Sequence, residues 1–118
     1  MTTDEFERAA AVAIRALPAF FKERMVNVVV IVRARPTEAQ VKKFGSGLLG
    51  LYEGVPLLDR GHFYSGAMPD KITLFKDNIE AACRDGRNIK GEIRNVVMHE
   101  TAHHFGITDE ELREKGLY

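Results

Sequence analysis

Residues 99–109 read HETAHHFGITD, and they close a segment whose apolar periodicity predicts a helix over residues 89–105. His99 and His103 lie four positions apart, so at about 3.6 residues per turn both imidazoles emerge on one face, one turn apart. Ile89, Ile93, Val96 and Val97 define an apolar stripe, and at about 100° per residue Glu100 projects within roughly 20° of its middle. A carboxylate thus stands where a structural helix calls for an aliphatic side chain. Burying it ionised and unpaired is costly, and a nearby cation is the natural compensation. Any fold for this chain must bury the helix on that stripe while keeping the two histidines within reach of one ion.

Two imidazoles at this spacing can share a metal, and a glutamate directly after the first can reach a metal-bound water rather than the metal. Catalytic zinc takes three protein ligands and keeps a fourth position for water, so another donor is needed. Gly106 permits a sharp turn after the helix, and Asp109 follows where a chain folding back could present its carboxylate. Asp109 equally suits the first turn of a tail helix, where an acid favours the helix dipole. His104 falls inside the stripe and reads as a packing or supporting residue. The short HExxH pattern arises by chance in many helices; the full HExxHxxGxxD pattern is far more specific.

The remaining chain supplies a scaffold for this helix. Residues 4–17 place Phe6, Ala10, Ala13, Ile14 and Leu17 on one helical face behind Thr3 as N-cap, and Pro18 can start a further turn through Phe20, Phe21 and Met25. The β-branched run 26–32 predicts a strand covered on both faces and central in a sheet. Pro36 and Thr37 lead a short helix to Phe44, stopped by Gly45, Ser46 and Gly47. Further strands are expected over 48–53, weakened by Gly50, and over 71–76, with Ile72 and Leu74 on one side. Asp77 reads as the N-cap of a helix over 78–84, and Thr108 begins a final helix that reaches Lys115. The long connection 54–70 carries Asp59, Arg60, His62, Tyr64 and Ser65, and connections of that length are often functional.

At 118 residues, with 45% hydrophobic content, the chain suits one domain, 1–118, around one core. Lys plus Arg and Asp plus Glu number 17 each, so no broad basic field exists to draw nucleic acid or an anionic membrane. The single cysteine, Cys83, allows no internal disulfide and reads as structural. The N-terminal MTTDEFERAA lacks a basic leader, and no apolar run approaches the roughly 18 residues of a membrane span. A soluble, cytoplasmic protein is expected.

At HETAHHFGITD the chain resembles the zincin metallopeptidases, with a metzincin-like pattern in which Asp109 stands for the usual third histidine. The segments LLGLYEGVPLLDRG and MPDKITLFKDNIE extend the likeness to the bacterial minimal zincin family, over roughly the last two thirds of the chain. The resemblance implies an α+β fold: a small twisted three- or four-stranded mixed sheet packed on an N-terminal helix and the active-site helix. It also implies Zn2+ held by His99, His103 and Asp109, with Glu100 as the catalytic base. One departure is that no methionine follows His104, where metzincins have a methionine-containing turn.

The expected activity is that of a zinc metallopeptidase. Zinc lowers the pKa of its water toward about 7, Glu100 takes the proton, and a peptide carbonyl polarised by the metal is attacked. Arg60, His62 and Tyr64 are open alternatives for steadying the oxyanion. The partner is a peptide or protein substrate in extended conformation, paired along a strand edge for which 48–53 is the candidate. Nucleic acid and membrane are not expected partners, and sequence leaves the oligomeric state open. A non-catalytic zinc module that binds a partner's peptide is the main alternative. A zinc-dependent endoribonuclease ranks below it, because such enzymes lack the glutamate after the first histidine and favour a basic surface.

Overall fold

A computed structural model describes residues 1–23, 27–54, 70–83 and 88–116. Its order is α1 (Thr3–Arg15), α2 (Ala19–Lys22), β1 (Val28–Arg33), α3 (Glu38–Phe44), β2 (Gly50–Glu53), β3 (Asp70–Phe75), α4 (Lys76–Ala82), α5 (Ile89–His104) and α6 (Asp109–Glu114). The architecture is α+β with a small mixed sheet, as the resemblance implies. β3 is central, parallel to β1 with Val30 opposite Ile72, and antiparallel to β2 with Tyr52 opposite Ile72.

Helix α1 begins one residue before the expected start. Thr2, not Thr3, is its N-cap: the Thr2 hydroxyl accepts from the Glu5 N–H at 3.1 Å and the Glu5 carboxylate accepts from the Thr2 N–H at 2.8 Å. The reciprocal box needs an acid or amide three positions after the cap, and Thr3 has Phe6 there. Phe6, Ala10 and Ala13 are buried from α1, joined by Leu17 just beyond it. α3 uses the same device, with Thr37 and Gln40. α2 realises the turn after Pro18 and buries Phe21, while Met25 lies outside the described residues.

Two expectations fail for identifiable reasons. The β-branched run yields β1, but at the edge of the three-stranded sheet that the described residues form, and Val29 remains 39% exposed. β-branching reports a preference for the pleated backbone, which edge and central strands share. The central strand is β3, whose Ile72, Thr73, Leu74 and Phe75 are all buried. Asp77 is not a cap either: α4 follows β3 directly from Phe75, and Asp77 sits in the first turn with its carboxylate 3.5 Å from Arg35 Nε. An acid is still favourable there through the helix dipole.

Helix α1 packs on α5 and β1, and α5 packs on β2 and β3. Phe6, Phe21, Ile72, Leu74, Ile93, Val97 and Leu112 lie in one hydrophobic cluster that joins these elements. Asn78 ties down the approach to β2: its Nδ2 donates to the Ser46 carbonyl at 2.9 Å and to the Leu48 carbonyl at 2.8 Å. β2 is therefore held at its start as well as along β3. Cys83 is buried. Among the described residues no helix is long and apolar enough to cross a membrane.

Candidate metal and catalytic site

Helix α5 carries the site. It starts at Asn88, whose Oδ1 accepts from the Lys90 N–H at 3.0 Å, and it buries Ile93, Val96, Val97, Thr101 and Ala102. It ends at Phe105 in a Schellman motif: Ile107 N–H bonds to the Ala102 carbonyl at 2.8 Å, Gly106 N–H to the His103 carbonyl at 3.0 Å, and Gly106 takes φ 77°. Ile107 is buried, which locks the reversal in place. The chain then returns past the helix end, where Thr108 caps α6 and Leu112 anchors it in the core.

This reversal brings Asp109 to His103, with Oδ1 3.2 Å from Nε2. Asp109 is also the first residue of α6, so the dipole role and the approach to His103 coexist in one carboxylate. His99 sits one turn earlier, its ring centroid 6.0 Å from that of His103 and the planes inclined at 45°. Among the described residues no group of three or more potential donors stands close enough together to hold a metal.

The donor chemistry and one distance nevertheless fit zinc. Tetrahedral zinc with ligands at about 2.0 Å separates neighbouring donor atoms by roughly 3.3 Å, and the His103–Asp109 pair already stands at 3.2 Å. Two imidazoles and a carboxylate form a nitrogen and oxygen set of the kind that zinc accepts. His99 is the donor still to be brought in.

Glu100 is half-buried on the side of α5 that faces β2. Burial pushes its carboxyl above the usual glutamate value, while His103 and a hydrogen bond from the Tyr52 backbone N–H pull the other way. A carboxylate made more basic by desolvation suits proton acceptance near neutral pH. The helix approaches the strand closely because Gly50 has no side chain: a Cβ there would lie 2.6 Å from Val96 Cγ1 and 3.5 Å from Glu100 Cγ. Beside this contact, Leu48, Gly50, Asn95, His99 and Glu100 help line an open cavity of about 310 Å3.

Sequence reasoning missed three participants. Tyr52 stacks its ring on His104 with centroids 3.9 Å apart and planes 18° apart, and its hydroxyl donates to Asp70 Oδ2 at 2.8 Å. Gly54 leaves room for the His104 ring, since a Cβ there would be 2.6 Å from His104 Cε1. Glycine within or beside a strand often marks a close approach by another element, and the GLYEG segment carried that signal. Asp59, Arg60, His62, Tyr64 and Ser65 lie outside the described residues.

Comparison with curated proteins finds no match. The family described as zincin-like metallopeptidase matches residues 25–117, 93 of the 118 residues, and takes in all of the site. With a mixed sheet beside the helix that bears His99, Glu100 and His103, the chain belongs to the zincin-like metallopeptidase family.

Proposed function

We propose that the protein is a zinc-dependent peptidase in which His99, His103 and Asp109 hold the metal and Glu100 is the general base. Membership of the family supports zinc-dependent peptide hydrolysis. The observation that carries the residue roles is the placement of Glu100. It is desolvated, raised in basicity, and set on the same helix as two imidazoles, one of them at ligand spacing from a returning carboxylate. Bound zinc would supply Lewis-acid activation of water and of the scissile carbonyl.

The chain's own groups do the rest. Glu100 accepts a proton from the attacking water and later delivers it to the departing amine. Among the described residues β2 pairs with a strand on one side only and lies beside α5, which supports an extended substrate pairing near that edge. The balanced charge supports a peptide rather than nucleic acid as substrate, and the family match supports hydrolase over endoribonuclease chemistry. A cytoplasmic location and one domain over 1–118 belong to this reading. Metal analysis of the purified chain combined with cleavage of a diverse peptide library tests it: one zinc per chain with zinc-dependent cleavage is expected. Stoichiometric zinc with peptide capture and no cleavage would instead identify a binding module.

A further inference from the structure

The open cavity beside Glu100 continues along α5 toward the start of the helix. His99 and Glu100 line it at one end, Leu48, Leu49 and Val96 give it apolar walls, and Glu92 lines it at the other end. Glu92 precedes Glu100 by two helical turns, so the cavity runs about 12 Å along α5. Its volume of about 310 Å3 admits a long side chain. Among the described residues no lysine or arginine lines it. The Glu92 side chain is half-buried and has no ion pair or hydrogen bond with another described residue. A partly desolvated carboxylate without a partner favours an incoming cation. Glu92 also lies in the first turn of α5, where an acid suits the helix dipole, but that role makes no use of the cavity.

We infer that Glu92 is a specificity-determining residue, and that the cavity takes the side chain of a substrate lysine or arginine next to the scissile bond. This rests on the reading of His99 and Glu100 as the catalytic site. Lysine and arginine carry an apolar stem that lies along apolar surface and a charged head at its tip. That order matches the cavity: the stem lies on Leu48, Leu49 and Val96, and the head reaches the Glu92 carboxylate at the far end. A neutral side chain would leave that carboxylate partly desolvated and unpaired. An acidic one would meet Glu92 and Glu100 with the same sign of charge.

The test uses fluorescein-labelled hexapeptide pools in which one position at a time is fixed as Lys, Arg, norleucine or Glu; norleucine has an apolar stem without the charge. Binding is read by anisotropy on zinc-loaded Glu100→Gln, which requires no hydrolysis, and cleavage is read on the zinc-loaded wild type. At one position Lys and Arg should bind about 10-fold more tightly than norleucine, the scale of a hydrogen bond to a charged group. The same preference should appear in kcat/KM, at a position adjoining the cleaved bond. Adding Glu92→Gln should abolish the preference with bound zinc unchanged, and Glu92→Lys should reverse it in favour of Glu. A carboxylate that serves only the helix dipole would lower the Tm of both variants and leave the preference intact, which overturns the inference. Cleavage without preference for Lys or Arg overturns it too, and leaves the peptidase reading standing. A preference in binding that depends on Glu92, with no cleavage by the wild type, keeps the cavity assignment and removes the peptidase reading, so the two failures are distinguishable. Neither binding nor cleavage of any pool overturns both.

Discussion

His103 Nε2 stands 3.2 Å from Asp109 Oδ1, six residues along the chain and across a reversal made by Gly106. That distance matches the spacing of two donors on one tetrahedral zinc, roughly 3.3 Å. Asp109→Ala should therefore weaken zinc binding, while Glu110→Ala and Glu111→Ala, in the same acidic first turn of α6, should not. Titration with a competing chelator measures all three. Equal losses would show that only the charge of the turn matters.

His99→Ala and His103→Ala should each reduce bound zinc sharply, as measured by elemental analysis after dialysis. Both histidines are on α5 and neither is among the fully buried residues, so the fold should survive either change. Retention of wild-type zinc by both variants would remove them as ligands.

Gly50→Ala should destabilise the protein by about 1–3 kcal/mol, the scale of overpacking. Its Cβ would meet Val96 Cγ1 at 2.6 Å and the Thr73 carbonyl oxygen at 3.2 Å, and the latter is backbone of the central strand. Chemical denaturation gives the number. A variant as stable as the wild type would mean that β2 and α5 separate readily.

Helix positions were legible in the sequence because caps, apolar periodicity and stop glycines are local signals. Thr37 ahead of α3 and Gly106 after α5 are examples. The central place of β3 was not legible, since strand order depends on pairings between residues far apart: Val30 and Tyr52 both align with Ile72. For the site, the spacing of His99, Glu100 and His103 was evident from one helix, and Asp109 from a turn. Tyr52, Gly54 and Asp70 were hidden because their roles arise only when β2 is laid beside α5.

Thr101→Val should be neutral or stabilising by up to about 1 kcal/mol. The Thr101 hydroxyl is fully buried on α5 and has no hydrogen-bond partner among the described residues. Valine fills the same volume without a polar atom to desolvate. Equilibrium unfolding checks it, and a marked loss of stability would reveal a partner for the hydroxyl.

The raised carboxyl of Glu100 has a definite consequence for the zinc-free protein. Between the ordinary value of 4.5 and the raised folded value, the native state holds a proton that the unfolded chain has released. This group's contribution therefore favours folding as pH falls through the raised value and opposes it as pH rises. Glu100→Gln lacks that ionisation, so its stability advantage over the wild type should be largest near neutrality and shrink toward pH about 4.5. Paired urea midpoints along this range provide the comparison. An advantage independent of pH would place the carboxylate in an environment as wet as bulk solvent.

The central claim is that Glu100 moves the proton in zinc-dependent peptide hydrolysis, and hydrolysis by zinc-loaded Glu100→Gln addresses it directly. Glutamine keeps the size of the side chain and an oxygen able to accept the Tyr52 N–H, while removing the base. The variant should bind zinc at the wild-type stoichiometry, stay folded, and cleave a peptide at least about 10²-fold more slowly, the scale of a general-base contribution. Peptide cleavage at the wild-type rate by the zinc-loaded variant would contradict the account.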